Sequence, residues 1–146
     1  MKIVVREANL SDLPQLLDLY MLLDFVPGKK LSLHEAQQRF LQYGKYPDYR
    51  VYVAEAAGVI VGTFALIIID SAAHGGRPFG IVEDVVVAEN CQGEGVGQEM
   101  MRFAMVRCNE RGCYKLALSS HLKRARAHKF YESLGFEKHG FSFLIQ

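Results

Sequence analysis

Val85-Val86-Val87-Ala88-Glu89-Asn90-Cys91-Gln92-Gly93-Glu94-Gly95-Val96-Gly97 is the stretch that decides the fold. Its Val-rich start reads as the end of a buried strand, and Gln98 to about Arg111 reads as a helix. Between them, glycines stand at positions 93, 95 and 97. Glycine lacks Cβ, so the backbone turns tightly and brings its N–H groups close to a ligand. A helix that begins at such a turn points unpaired N–H groups and its positive dipole end at whatever sits there. The combination suits a phosphate or a pyrophosphate.

Upstream, Phe79 to Val87 reads as one strand carrying Glu83 and Asp84 in its middle. Arg50 to Glu55, the turn Ala57-Gly58 and the apolar run Val59 to Ile69 predict an antiparallel hairpin. The second strand of that hairpin is a central one, covered on both faces. The chain begins with a strand, Lys2 to Arg6. Ser11 is the expected N-cap of a helix whose apolar face is Leu13, Leu16, Leu17 and Tyr20. Ser32 to Glu35 fits a capping box for a second helix. Downstream, Arg111-Gly112 ends the long helix, and Tyr114 to Ser119 is a short strand. Ala127, Phe130, Tyr131 and Leu134 share a helix face, and Phe141 to Ile145 is the expected last strand. This order predicts a single α/β (α+β) domain over residues 1–146, with a mixed sheet of about six or seven strands flanked by about four helices.

Composition narrows the function. The net charge is +1, which gives no bulk attraction for nucleic acid or an acidic membrane. The three cysteines, Cys91, Cys108 and Cys113, are odd in number and form no C-x-x-C pair. They read as reduced thiols in a cytoplasmic protein. The five histidines show no metal-ligand spacing, so no metal is expected. The glycine turn is not a dinucleotide fingerprint, because no glycine stands at 98 or 100, and it is not a P-loop, because no Lys-Ser or Lys-Thr follows.

The spacing Gln92-x-x-Gly95-x-Gly97 resembles the acetyl-CoA signature of the GNAT (Gcn5-related) N-acetyltransferase superfamily. Ala127-His128-Lys129-Phe130-Tyr131-Glu132-Ser133-Leu134-Gly135-Phe136 is similar to that family's Ala-x-x-Phe-Tyr-x-x-x-Gly-Phe segment. Gly80 to Val87 and Gly112 to Lys115 resemble, more narrowly, the glucosamine-6-phosphate N-acetyltransferases. The departure is Ser119 to Arg126, which is longer and basic where those enzymes carry a short acidic stretch. Arg124 stands where many GNAT proteins have an asparagine.

The resemblance implies an acetyl-CoA-dependent N-acetyltransferase acting on a primary amine of a small molecule by direct transfer in a ternary complex. The implied cofactor contacts are Val85, Val86, Val87, Gln92, Gly93, Glu94, Gly95, Val96, Gly97, Gln98, Arg124 and Lys129. A backbone N–H near Val86 would polarise the thioester carbonyl. An alkylamine is mostly protonated at neutral pH, so a base is needed, with Glu83 the first candidate and Asp84 the second. Strand alternation directs only one of the two toward the acceptor. Tyr131 is the candidate general acid for the leaving thiolate. Alternatives are a non-catalytic acyl-CoA sensor and an acetyltransferase for protein amines. The partner expectations are the small-molecule amine and a homodimer, with Phe141 to Ile145 either an interface or an ordinary inner strand; neither nucleic acid nor membrane is expected.

Overall fold

The computed structural model describes all residues from Met1 to Gln146. In chain order the elements are β1 (Val4–Glu7), α1 (Leu13–Tyr20), α2 (Leu33–Tyr43), β2 (Tyr49–Ala56), β3 (Val59–Ile69), β4 (Phe79–Val87), α3 (Val96–Glu110), β5 (Leu116–Ala117) and α4 (Ala125–Ser133). The strands form one five-stranded sheet in the order β1-β2-β3-β4-β5. Its pairs are antiparallel except β4 with β5, which run parallel.

The sheet is covered on both faces. Val61, Phe64 and Leu66 of β3 pack with Met100, Met101 and Ala104 of α3. Ile60 and Ala65 of the same strand pack instead with Leu13, Leu16 and Leu17 of α1 and Ala36 of α2. Two faces of apolar residues along one strand are what a central strand requires. The Ala57-Gly58 turn has φ of 50° and 79°, the doubly left-handed geometry that matches the twist of a hairpin.

The helix ends follow local chemistry. Ser32 Oγ accepts from the Glu35 N–H at 3.1 Å, and Glu35 Oε1 accepts from the Ser32 N–H at 3.3 Å, completing the expected capping box. Ahead of α1 the capping residue is Asn9, at the head of a 3-10 turn, and not Ser11. Asn9 Oδ1 accepts from the Ser11 N–H, while Asp12 Oδ2 accepts from the Asn9 N–H. A short 3-10 turn, Leu10–Asp12, intervenes, and Pro14 occupies the first turn of α1, where its missing N–H costs nothing. Helix α3 begins at Val96, earlier than expected, because left-handed Gly95 already serves as its N-cap.

The expected last strand does not form. Residues from Glu137 onward have no regular structure, and Phe141, Phe143, Leu144 and Ile145 are 81–95% exposed. A strand needs an edge to pair with, and β5 pairs with β4 only at Leu116 and Ala117, not over the expected Tyr114 to Ser119. The sheet therefore has five strands where about six or seven were expected, while the α/β class and the four helices stand.

Candidate active site

The glycine turn joins the end of β4 to α3. Gly93 and Gly95 have φ of 82° and 86°, conformations that disfavour any residue with a Cβ. A Cβ at either position would meet nothing within 4 Å, so the turn faces open space. Gly97 serves packing instead, since a Cβ there would stand 3.0 Å from Cζ of Phe130. It lets α4 approach α3, which ties the two sequence segments together in space. Gln92 Nε2 donates to the Val87 carbonyl at 3.5 Å, so its amide bridges the two ends of the turn.

Beside this turn the sheet is split. β4 pairs with β5 only at Gly80 and Ile81. From Val82 to Val87, β4 has β3 on one edge and no strand on the other. Unpaired backbone groups along an edge are ready to take an extended ligand. Val85 and Val87 pack toward the α3 face, and Val86 is buried toward α1 and α2.

Tyr131 lies on α4 and Arg124 at its start, and Tyr131 packs against the same α3-face core as Val85 and Val87. α4 ends in two bonds around left-handed Gly135: the Phe136 N–H donates to the Tyr131 carbonyl at 3.1 Å and the Gly135 N–H to the Glu132 carbonyl at 3.0 Å. That is a Schellman closure, and it seats Phe136 on Tyr131 with ring centroids 5.8 Å apart. The Phe-Tyr-x-x-x-Gly-Phe spacing is thus a device for holding the tyrosine. Burial pushes the Tyr131 phenol up, opposed by the charge of Arg124, so the hydroxyl remains protonated at neutral pH. Arg124 itself is engaged: its guanidinium donates to the Leu23 carbonyl and lies 4.9 Å from the Phe25 ring centroid. It ties α4 to the loop after α1. Lys129 is exposed on α4. His128 Nε2 contacts the His121 carbonyl at 2.9 Å, while Glu132 pairs with Lys138.

Glu83 and Asp84 depart from simple alternation. On β3, Thr63 and Ala65 face Val86 and Glu83, so one β3 residue opposes two on β4, Asp84 and Val85. Asp84 has φ of 53°. This is a β-bulge, which re-aims side chains. Val82 and Val85 belong to the α3 face and Val86 to the other, leaving both carboxylates on the side of α1 and α2. Tyr49 agrees with this placement, because both carboxylates act on its phenol. The expectation that strand alternation sends the two to opposite faces is corrected by the bulge.

Both carboxyl groups are held above the usual carboxylate range. For Glu83 the cause is desolvation first and the neighbouring Asp84 charge second. For Asp84 it is desolvation first and Asp24 second. Both side chains are still open to solvent at the mouth of the cleft, whose walls crowd them from the side. Those walls are aromatic, which sequence reasoning missed. Tyr20, Phe40 and Tyr43 line a cavity with Asp84, and Tyr49 stands edge-on to Tyr43 with centroids 5.0 Å apart. The density of tyrosines from 43 to 49, with Tyr20 on the α1 face, was the available signal. Burial pushes the Tyr49 phenol up to about 12, and the Tyr20 phenol rises for the same first cause.

A second, more open depression of about 440 Å³ lies between α1 and the residues before the glycine turn. Its charged walls are Asp18 and Glu89, which makes it a poor place for phosphates. No group of three or more His, Cys, Asp and Glu side chains is gathered to hold a metal ion.

A glycine turn facing open space, an open strand edge and a pair of carboxylates are thus gathered along one strand, β4, and the start of α3. The acetyltransferase (GNAT) family profile matches residues 13–136. The chain belongs to the GNAT family. Among curated GNAT relatives, glucosamine 6-phosphate N-acetyltransferase of Trypanosoma brucei brucei is 37% identical over 90 residues, 62% of this chain and 59% of that protein. The chain thus spans under two thirds of the trypanosome protein. The Arabidopsis thaliana enzyme of the same name is 30% identical over 104 residues, 69% of this chain and 68% of that one. A solved GNAT structure, a putative acetyltransferase from Agrobacterium tumefaciens str. C58, superposes with a TM-score of 0.92 at 32% identity, covering 98% of this chain and 99% of that one.

Proposed function

We infer that this GNAT protein transfers an acetyl group from acetyl-CoA to a primary amine of a small molecule, by direct attack in a ternary complex. The observation that carries the reading is the open β4 edge running from the carboxylate pair to the glycine turn. Acetyl-CoA supplies the activated acyl group and a thiolate leaving group. The N–H groups from Gly93 to Gly97 and the α3 dipole suit its pyrophosphate, and the space beside Gly93 and Gly95 is open. The free edge around Val85 to Val87 suits the pantetheine arm, and a backbone N–H near Val86 is the candidate donor to the thioester oxygen. Gln98 and Lys129 are further candidate contacts of the cofactor.

Glu83, with Asp84 beside it, takes a proton from the acceptor ammonium, either directly or through one water. A carboxylate whose proton affinity is raised by desolvation and a like charge is a better base for this step than a free one. Tyr131 Oη returns a proton to the departing sulfur, and its raised phenol pKa keeps that proton available.

Titration calorimetry with acetyl-CoA and thiol-release kinetics test this reading. Tyr131→Phe is expected to lower kcat by roughly 10²-fold while the dissociation constant of acetyl-CoA stays unchanged. Gly95→Trp forces a side chain into a left-handed position at the turn and abolishes cofactor binding. Undiminished binding in Gly95→Trp would sink the cofactor assignment. Tight binding without thiol release from any amine would mark a non-catalytic acyl-CoA module. Release only with peptide amines would mark a protein acetyltransferase.

A further inference from the structure

We propose that the acceptor is a primary amine carried on an apolar or aromatic body and bound as an ammonium cation, and that it is not a phosphorylated sugar. This rests on the acetyl-transfer reading and specifies its acceptor. The cavity between α1, α2 and β4 measures about 280 Å³, and nine of its eleven lining residues are apolar or aromatic. A cavity of roughly 150 Å³ already accepts a benzene ring, so this one holds an aryl-alkyl group with room for its amine.

The aromatic lining residues are Tyr20, Phe40 and Tyr43. Phe40 and Tyr43 stand with centroids 6.0 Å apart, and Tyr49, behind the cavity wall, packs edge-on to Tyr43 at 5.0 Å. Asp84 lines the same cavity as Tyr20 and Tyr43. Ring faces attract a cation and a carboxylate pairs with it, so an ammonium group is recognised twice. Its proton then passes from nitrogen to a carboxylate oxygen, which frees the lone pair for attack on the acyl carbon.

The charges exclude the other class. A phosphomonoester carries close to two negative charges at neutral pH. Arg39 is the one cation among the lining residues, and Asp84 is in the same wall. Asp24 and Glu83 add negative charge around Asp84. None of the basic residues after Ser119 lines the cavity, and Arg124 is committed to the Leu23 carbonyl and the Phe25 ring.

The test compares 2-phenylethylamine, 1,4-diaminobutane and glucosamine 6-phosphate as acceptors, read by thiol release. 2-Phenylethylamine is expected to exceed glucosamine 6-phosphate in kcat/KM on the order of a hundredfold, as like-charge juxtaposition disfavours the phosphate. Tyr43→Leu is expected to raise its KM roughly tenfold with kcat little changed, and Tyr43→Phe, which keeps the ring, to restore it. Preference for glucosamine 6-phosphate or for the diamine overturns the proposal and leaves acetyl transfer standing. Calorimetry of 2-phenylethylamine against the protein saturated with CoA gives a second readout. Binding there without turnover of any amine sinks the acetyl-transfer reading but keeps the cavity assignment; absence of both binding and turnover sinks the cavity assignment too.

Discussion

Asp84 is the residue on which the site turns. Its positive φ puts it beside Glu83 on one face, and each acid raises the cost of ionising the pair. The acid limb of the kcat/KM profile is therefore expected above the usual carboxylate range. Asp84→Asn removes the charge that lifts Glu83, so the limb moves to lower pH; Glu83→Gln removes the limb altogether. Stability has the opposite preference. A carboxyl whose folded pKa lies above its unfolded value favours the folded state when protonated, and that contribution is lost as pH rises through the folded pKa. Asp84→Asn is therefore expected to melt higher than the parent at neutral pH and to lose that advantage at acid pH, as read by calorimetry. The identity of both carboxylates was legible in the sequence, because acids in an apolar strand need a reason to be there. Their common orientation was not, since a bulge depends on the register of β3 against β4 and leaves no mark in β4 alone.

At the scale of elements, tight approach explains positions that look interchangeable in the sequence. A Cβ on Gly80 would lie 2.4 Å from Cys108 Sγ and 3.1 Å from Leu116 Cδ1. Gly80 thus sets how closely α3 and β5 pack on β4. Gly80→Ala is expected to destabilise the fold by about 1–3 kcal/mol in urea titrations, an overpacking cost, and Gly80→Ala with Cys108→Ala to recover most of it. No recovery would mean that the clash is not the cause. Cys108 sits in this packed place with its thiol pushed up to about 12 by burial and by Cys113, which makes it inert and structural. The termini of α3 and α4 were readable because Gly112 and Gly135 are C′ glycines with local partners: the Cys113 N–H donates to the Cys108 carbonyl at 3.0 Å, and the Phe136 N–H to the Tyr131 carbonyl at 3.1 Å. The length of β5 was not readable, because strand ends are set by a neighbour and not by the strand itself.

Across the whole molecule, one ionic cluster joins the first strand, the turn before α1 and β2. Arg6 donates to both carboxylate oxygens of Asp12 at 2.8 and 2.9 Å and to Glu55 Oε2 at 2.7 Å. Asp12 is 4% exposed, and the Arg6 guanidinium holds its carboxyl below the usual carboxylate range. That stabilisation is present above the unfolded pKa and is lost as pH falls through the depressed folded value. Arg6→Met leaves the buried Asp12 carboxylate without its charged partner and with only the Asn9 N–H, and a loss of about 2–3 kcal/mol is expected in equilibrium unfolding at neutral pH. The tail has the opposite character. Phe141, Phe143, Leu144 and Ile145 find no surface within their own chain. With their reciprocal copies they offer roughly 1,200 Å² of apolar area, the lower end of a specific interface. Sedimentation is expected to show a dimer, and deletion of residues 141–146 a monomer; an unchanged mass after deletion would place the contact elsewhere.

The glycine turn, its strand and the long helix after it were determined by the sequence alone, because backbone freedom, capping and apolar period are local properties. The Phe130-Tyr131…Gly135-Phe136 segment belongs to the same class: its spacing closes a helix end on itself. Tertiary structure decided what those pieces face. It split β4 from β5 to open an edge, turned Asp84 to the side of Glu83, walled the pair with tyrosines from α1, α2 and β2, and left the tail without a strand to join. Each of these depends on contacts between residues far apart in the chain, whose energies no local pattern encodes. The proposed donor site is therefore written in one stretch, whereas the proposed acceptor site exists only once the sheet and the first two helices have closed around it.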